Sequence, residues 1–146
     1  MRTITKIAVI YNQKREAQKN QPNDFYAECD GIDVPTAIKN ALTNNGYQAE
    51  ILEADDALYE KLKYGDYGFV FNIAEGILGE SRESHVPAML EMLSIPYTGS
   101  GVFTQALTLD KRRTKEILSY YGIPNAKFQI FTGWGQKLNP DLQFPL

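Results

Sequence analysis

Three polar loops in this 146-residue chain carry the residues whose types and spacing could do chemistry, and each follows a short apolar run. The first, NQKREAQKNQPNDFYAECDGID, holds Glu28 and Asp30 just ahead of a helix-forming stretch. Carboxylates at that place are favoured by the positive end of the helix dipole, which explains the acidity without any ligand. The other reading is an acid poised to hold an ammonium, and on the residues alone the dipole explanation has the edge. The second loop, FNIAEGILGESRES, passes from an apolar strand into Asn72, Glu75, Gly76, Gly79, Glu80, Arg82 and Glu83. Spaced glycines let a backbone take positive φ or approach a ligand closely. Their spacing is not that of the dinucleotide fingerprint, and no Gly-Lys-Thr phosphate loop occurs. The third loop, SGVFTQALTLDKRRTK, sets Lys111, Arg112 and Arg113 in the first turn after Asp110, a helix-capping residue. Cations there oppose the helix dipole, at a cost of about 0.3–1 kcal/mol each when exposed. A phosphate held by helix N–H groups and the lysine resolves that conflict. Three solvated cations, partly offset by Asp110 and Glu116, are an equally weighted alternative.

Composition narrows the chemistry. With 43% hydrophobic and 23% charged residues the chain reads as one soluble globular domain, long enough for a real core. A net charge of -3 and a pI near 5.2 give no bulk attraction to nucleic acid or an anionic membrane. Apolar runs such as IAVI and FVF are too short for a membrane span or a secretory signal. Cys29 and His85, each the sole residue of its type, cannot build the usual zinc site or an intrachain disulfide. Cys29 is expected as a small buried or half-buried side chain and His85 on a helix surface. A lone cysteine fits a reducing compartment, so a cytoplasmic location is the expectation.

Strands and helices alternate around these loops. Strands are predicted at KIAVIY (Lys6–Tyr11), QAEIL, YGFVFNI (the most apolar), IPYTG and AKFQIFTG. The helix in PTAIKNALTNNG should be capped by Asp33, with Pro35 in its first turn and Gly46 closing it. ADDALYEKLKYG forms a second helix ending at Gly65. SHVPAMLEMLS forms a third, capped by Ser84 and burying Met89, Leu90 and Leu93. DKRRTKEILSYYG forms a fourth, capped by Asp110 and with Thr114, Ile117, Leu118 and Tyr121 on one stripe. This order predicts an α/β domain with a mainly parallel sheet flanked by helices. The long polar stretch after the first strand is expected as a flexible loop where α/β folds place ligands. The closing FPL is expected to begin a further buried strand.

The run GESRESHVPAMLEMLSIPYTGSGVFTQALTLDKRRTKEILSYYGIPNAKF resembles the N-terminal region of the D-alanine–D-alanine ligases, members of the ATP-grasp superfamily. The likeness is close from Asn72 to Phe128 and looser but colinear from Ile7 to Glu53. The resemblance implies a Rossmann-like, pre-ATP-grasp, three-layer domain over residues 1–128. It also implies that residues 129–146 begin a linker or strand leading to an ATP-grasp region, with Leu146 near a domain boundary. The implied activity is ATP-dependent carboxylate–amine ligation through an acyl phosphate, in peptidoglycan precursor synthesis. ATP and Mg2+ are the implied cofactors, D-alanine or a similar amino acid the small-molecule substrate, and a homodimer the implied assembly. No nucleic-acid or membrane partner is implied.

By the same resemblance Lys111 corresponds to a nucleotide-binding lysine, and Glu28 to the acid that receives the first substrate's ammonium. Asp30 and Asp33 remain alternatives to Glu28, because the loop differs in length. Glu75 stands where most of these ligases have histidine, in AEG for LHG. An acid there repels a carboxylate and attracts an ammonium. That substitution keeps open a ligase for another amino or hydroxy acid. A non-catalytic α/β module that dimerises or binds a small anion is the further alternative. No turnover is expected from residues 1–146 alone.

Overall fold

The computed structural model describes residues 6–142. Among them three strands form one parallel sheet: β1 (Lys6–Tyr11), β2 (Gln48–Glu53) and β3 (Phe69–Asn72), in spatial order β2-β1-β3. The register sets Lys6 opposite Gln48 and Tyr11 opposite Glu53, with Ile7 opposite Phe69 and Ile10 opposite Asn72 on the other side. The most deeply buried strand is β1, not β3 as the apolar content suggests. A central parallel strand is covered on both faces and both edges, so KIAVIY tolerates no polar face.

Helix α1 (Asp33–Asn44) joins β1 to β2 and packs on both, while α2 (Leu58–Tyr64) joins β2 to β3. The chain steps outward from β1 to β2, then back past β1 to β3. Right-handed crossovers therefore place α1 and α2 on opposite faces of the sheet. On the α2 face, Ala8, Ile10 and Val70 meet Leu58 and Leu62, together with Val86 and Leu90 of α3 (His85–Met92). Ile10, Leu58, Leu62 and Leu90 are fully buried, each burial being worth about 1.5–3 kcal/mol. At the amino ends of the strands, Lys6 bonds the Gly65 carbonyl at 2.9 Å and pairs with Glu50 at 3.2 Å. The Tyr67 hydroxyl donates to the same Glu50 carboxylate.

Two further helices follow, α4 (Val102–Leu109) and α5 (Lys111–Tyr120). One compact unit ends at Leu109 and a second begins at Asp110. Within the second, Asp110 caps α5 as its spacing predicts, its carboxylate accepting the Arg113 N–H at 3.0 Å. None of the described residues of that unit is buried.

Four sequence expectations are corrected. IPYTG does not form a strand but a single bridge from Tyr97 to Val70, held by the Val70 N–H on the Pro96 carbonyl and the Thr98 N–H on Val70. Ser94 and Gly99 on either side take φ of 55° and 98°, which confines the extended stretch to a few residues. AKFQIFTG is irregular, for no neighbouring strand among the described residues supplies a ladder. There the Gln129 side chain serves as the cross-link, donating to the Lys137 carbonyl and accepting from the Asn139 N–H. Asp33 is not the cap of α1 but its first residue. The preceding Ile32 already has helical backbone, whereas a capping side chain needs an extended one. Ser84 precedes α3, yet its hydroxyl donates to the Ser81 carbonyl at 2.6 Å, because a short 3-10 turn runs straight into the helix. The expectation for residues 144–146 lies outside the described residues.

Candidate functional site

The connections leaving β1 and β3 run to opposite faces of the sheet, so the loops beyond their carboxyl ends diverge and leave a crevice. Asn12, the first residue after β1, is 3% exposed and sits at the centre of it. Its side-chain carbonyl accepts the Gly76 N–H at 2.7 Å, and its amide donates to the Ala54 carbonyl at 3.4 Å. Its backbone carbonyl accepts the Asp30 N–H at 3.0 Å. One residue thus ties together the loops after all three strands. The polar loop after β1 is also pinned at its base, since Gln13 bridges Asp30 and the Lys14 N–H bonds the Asp30 carbonyl at 2.8 Å.

Between these loops lies a cleft of about 280 Å³, lined by Asp24, Phe25, Glu28, Cys29, Gly76 and Arg82 among others. The Arg82 guanidinium donates to the Glu28 carboxylate across it. Glu75 is half-buried beside the cleft, and no hydrogen bond or ion pair reaches its carboxylate among the described residues. Burial pushes its pKa above the ordinary range, reinforced by the charges of Glu83, Glu28 and Asp30, while Arg82 works the other way. Gly76 takes φ of 71°, and a Cβ there would meet the Arg82 carbonyl oxygen at 2.5 Å, so only glycine fits. Asn72 closes the turn before it, its side chain accepting the Ala74 N–H and its own N–H donating to Thr98 Oγ1 at 2.9 Å. A second cleft of about 610 Å³ is lined by Asn12, Arg15, Glu53, Asp56, His85 and Met89 among others. It shares Gly76, Ile77 and Arg82 with the first. Arg15 and Glu53 form an ion pair within it.

The structure therefore brings Glu28, Asp30 and Glu75 to one place. Asp33 does not join them, being exposed in the first turn of α1. Cys29 is buried in the cleft lining as expected, with its thiol pKa raised chiefly by burial, and His85 is exposed at the start of α3. Lys111 is exposed at the start of α5, in the second unit. Its neighbours Arg112 and Arg113 both pair with Glu116 at 2.8 Å. Among the described residues Lys111 is then the one cation of the three without a carboxylate partner. Sequence reasoning missed Asn12 and the pairing of Arg82. The only signal for Asn12 was an asparagine directly after a fully apolar strand, the same placement as Asn72.

Among the described residues no three His, Cys, Asp or Glu side chains are grouped to hold a metal ion. No helix among the described residues is long and apolar enough to cross a membrane. No family model matches the chain. It is 37% identical over 121 residues to an uncharacterized protein of Sinorhizobium fredii, covering 77% of this chain and 36% of that one. It is 40% identical over 96 residues to the D-alanine–D-alanine ligase of Actinobacillus succinogenes, covering 66% of this chain and 31% of that one. The chain thus spans about a third of the length of the curated relatives it matches. The crystal structure of the D-alanine–D-alanine ligase of Bacillus anthracis complexed with ATP superposes with a TM-score of 0.64 at 25% identity, over 94% of this chain and 43% of that one.

Proposed function

We propose, from the premise that this chain is a homologue of the N-terminal domain of the D-alanine–D-alanine ligases, that its cleft binds the first amino-acid substrate of such a ligase. The observation that carries this reading is the acidic cleft at the diverging loops after β1 and β3. Glu28 lies across it from Arg82, and Glu75 stands beside it with no bonded partner among the described residues. The substrate-binding domain is taken as residues 1–128, with 129–146 leading toward the remainder of the ligase.

In this reading the substrate ammonium approaches Glu28 and Glu75, and the Arg82 guanidinium is the cation available to its carboxylate. Lys111 and the free N–H groups at the start of α5 fit a phosphate, which is the part of ATP these residues could hold. ATP, when bound, supplies the activation of the carboxylate. In the same reading Mg2+, which the resemblance implies, is held by the part of the ligase beyond this domain. Glu75 favours a substrate with more positive charge near this wall than D-alanine carries, and a ligase for another amino acid is the second reading it supports.

Titration of isotope-labelled chain with D-alanine, and separately with L-alanine, tests the proposal by NMR. D-alanine should shift the amides of Glu28, Gly76 and Ile77 more than L-alanine does. Glu28→Gln should weaken the response roughly tenfold, the scale of one charge-assisted hydrogen bond. Shifts confined to other parts of the chain would sink the substrate reading. Incubated with ATP and D-alanine, the chain alone should release no ADP. Sustained release would show that it is more than a substrate-binding part.

A further inference from the structure

We infer that Asn12 is the positioning residue of this cleft: its buried side chain fixes the Glu75–Gly76 peptide, and with it the wall that the two clefts share. The inference rests on the reading of the smaller cleft as a substrate site. The wall is Gly76, Ile77 and Arg82, the residues that line both spaces. Its backbone cannot lean on side-chain bulk, because Gly76 is at positive φ with the Arg82 carbonyl against it. The carboxylate next to it has no hydrogen bond to hold it among the described residues. What anchors the segment is the Gly76 N–H on Asn12 Oδ1 at 2.7 Å, to a residue 3% exposed at the end of the central strand. The same side chain spends its amide on Ala54 after β2, so its orientation is set from the opposite side. Its backbone carbonyl meanwhile holds Asp30, two residues from Glu28.

An asparagine suits this post because it offers an acceptor and a donor on one planar group, with no charge to place among Glu28, Asp30, Glu75 and Glu83. Aspartate keeps the acceptor and loses the donor. Alanine loses both.

The test compares the wild-type chain with Asn12→Ala and Asn12→Asp by amide exchange, with the Glu75 carboxyl titrated by NMR. In Asn12→Ala the Gly76 amide should exchange about tenfold faster or more. Glu75 should then titrate nearer an ordinary carboxylate, still facing Glu83, Glu28, Asp30 and Arg82 but reached by water. The sheet amides of Val9, Ile51 and Val70 should keep their wild-type rates. Asn12→Asp should restore Gly76 protection. Unchanged Gly76 exchange and Glu75 titration in Asn12→Ala would overturn the inference, as would a loss spread evenly over the sheet. If Asn12→Ala does not fold, the wild type decides: a Gly76 amide that exchanges at least about tenfold more slowly than that of exposed Leu78 supports the role, and one that exchanges as fast overturns it. If these readouts behave as expected while D-alanine shifts nothing in the wild type, the substrate reading fails and the positioning role stands.

Discussion

Glu75 combines half burial, carboxylate neighbours and, among the described residues, no bonded cation of its own. Its proton is held more tightly in the folded chain than in the unfolded one, chiefly through burial and then through Glu83, Glu28 and Asp30. A carboxyl with a raised folded pKa contributes its full stability below the unfolded value, and loses it as pH rises through the folded one. Glu75→Gln removes that loss. The variant should therefore be more stable than wild type at neutral pH, by about 0.5 kcal/mol given how much of the carboxyl still faces water. The difference should fade as pH falls through the unfolded glutamate range and vanish well below about pH 4, where both states of the wild type are protonated. Denaturant melts across pH check this, and an unchanged or lowered midpoint at neutral pH would contradict it. The loop holding Glu75 was legible in the sequence because glycines and charges stood out after an apolar strand. Asn12 was not, because its partners lie 42 and 64 residues away and only the closed fold brings them to it.

At the scale of elements, local signals were read correctly where they depend on neighbours in the chain and misread where they depend on tertiary partners. Asp110 caps α5 because a carboxylate three residues before a free N–H needs nothing else. IPYTG and AKFQIFTG have strand-like composition, but a strand exists only through its ladder, and neither segment finds more than isolated partners. The end of α3 shows the same contrast. Ser94 is the residue after the cap, at φ of 55°, with its N–H on the Glu91 carbonyl and the Ile95 N–H on Leu90. That double bond pattern ends helices most easily at glycine, whose backbone reaches the left-handed region without a Cβ penalty. Ser94→Gly should therefore stabilise the chain, by about 0.5–1 kcal/mol. A fall in the thermal midpoint would show that the serine hydroxyl has a role beyond this turn.

The two compact units differ in kind. The first contains the buried cluster and the cleft; the second, from Asp110 on, has no buried residue among those described, with Tyr121 at 71% and Trp134 at 105% exposure. Trp134 is the sole tryptophan, so its fluorescence reports this unit alone. Its emission should match free indole in water and be quenched by acrylamide as readily as a model peptide. A blue-shifted, protected signal would mean that something covers this loop in solution. Fold class was legible because strand–helix alternation is a whole-chain property that survives errors in single elements. The division at Asp110 was not, since no change of composition marks it.

The placing of β1 between partners that come much later has a consequence for how the chain is made. On the ribosome, KIAVIY emerges first and finds nothing to pair with until Gln48 and then Phe69 have followed. For that interval the strand destined for the deepest burial is an unprotected edge, the kind of segment chaperones hold and aggregates recruit. The Asn12–Gly76 bond can close only after this wait, so the cleft cannot take shape before all three strands of the sheet have been made.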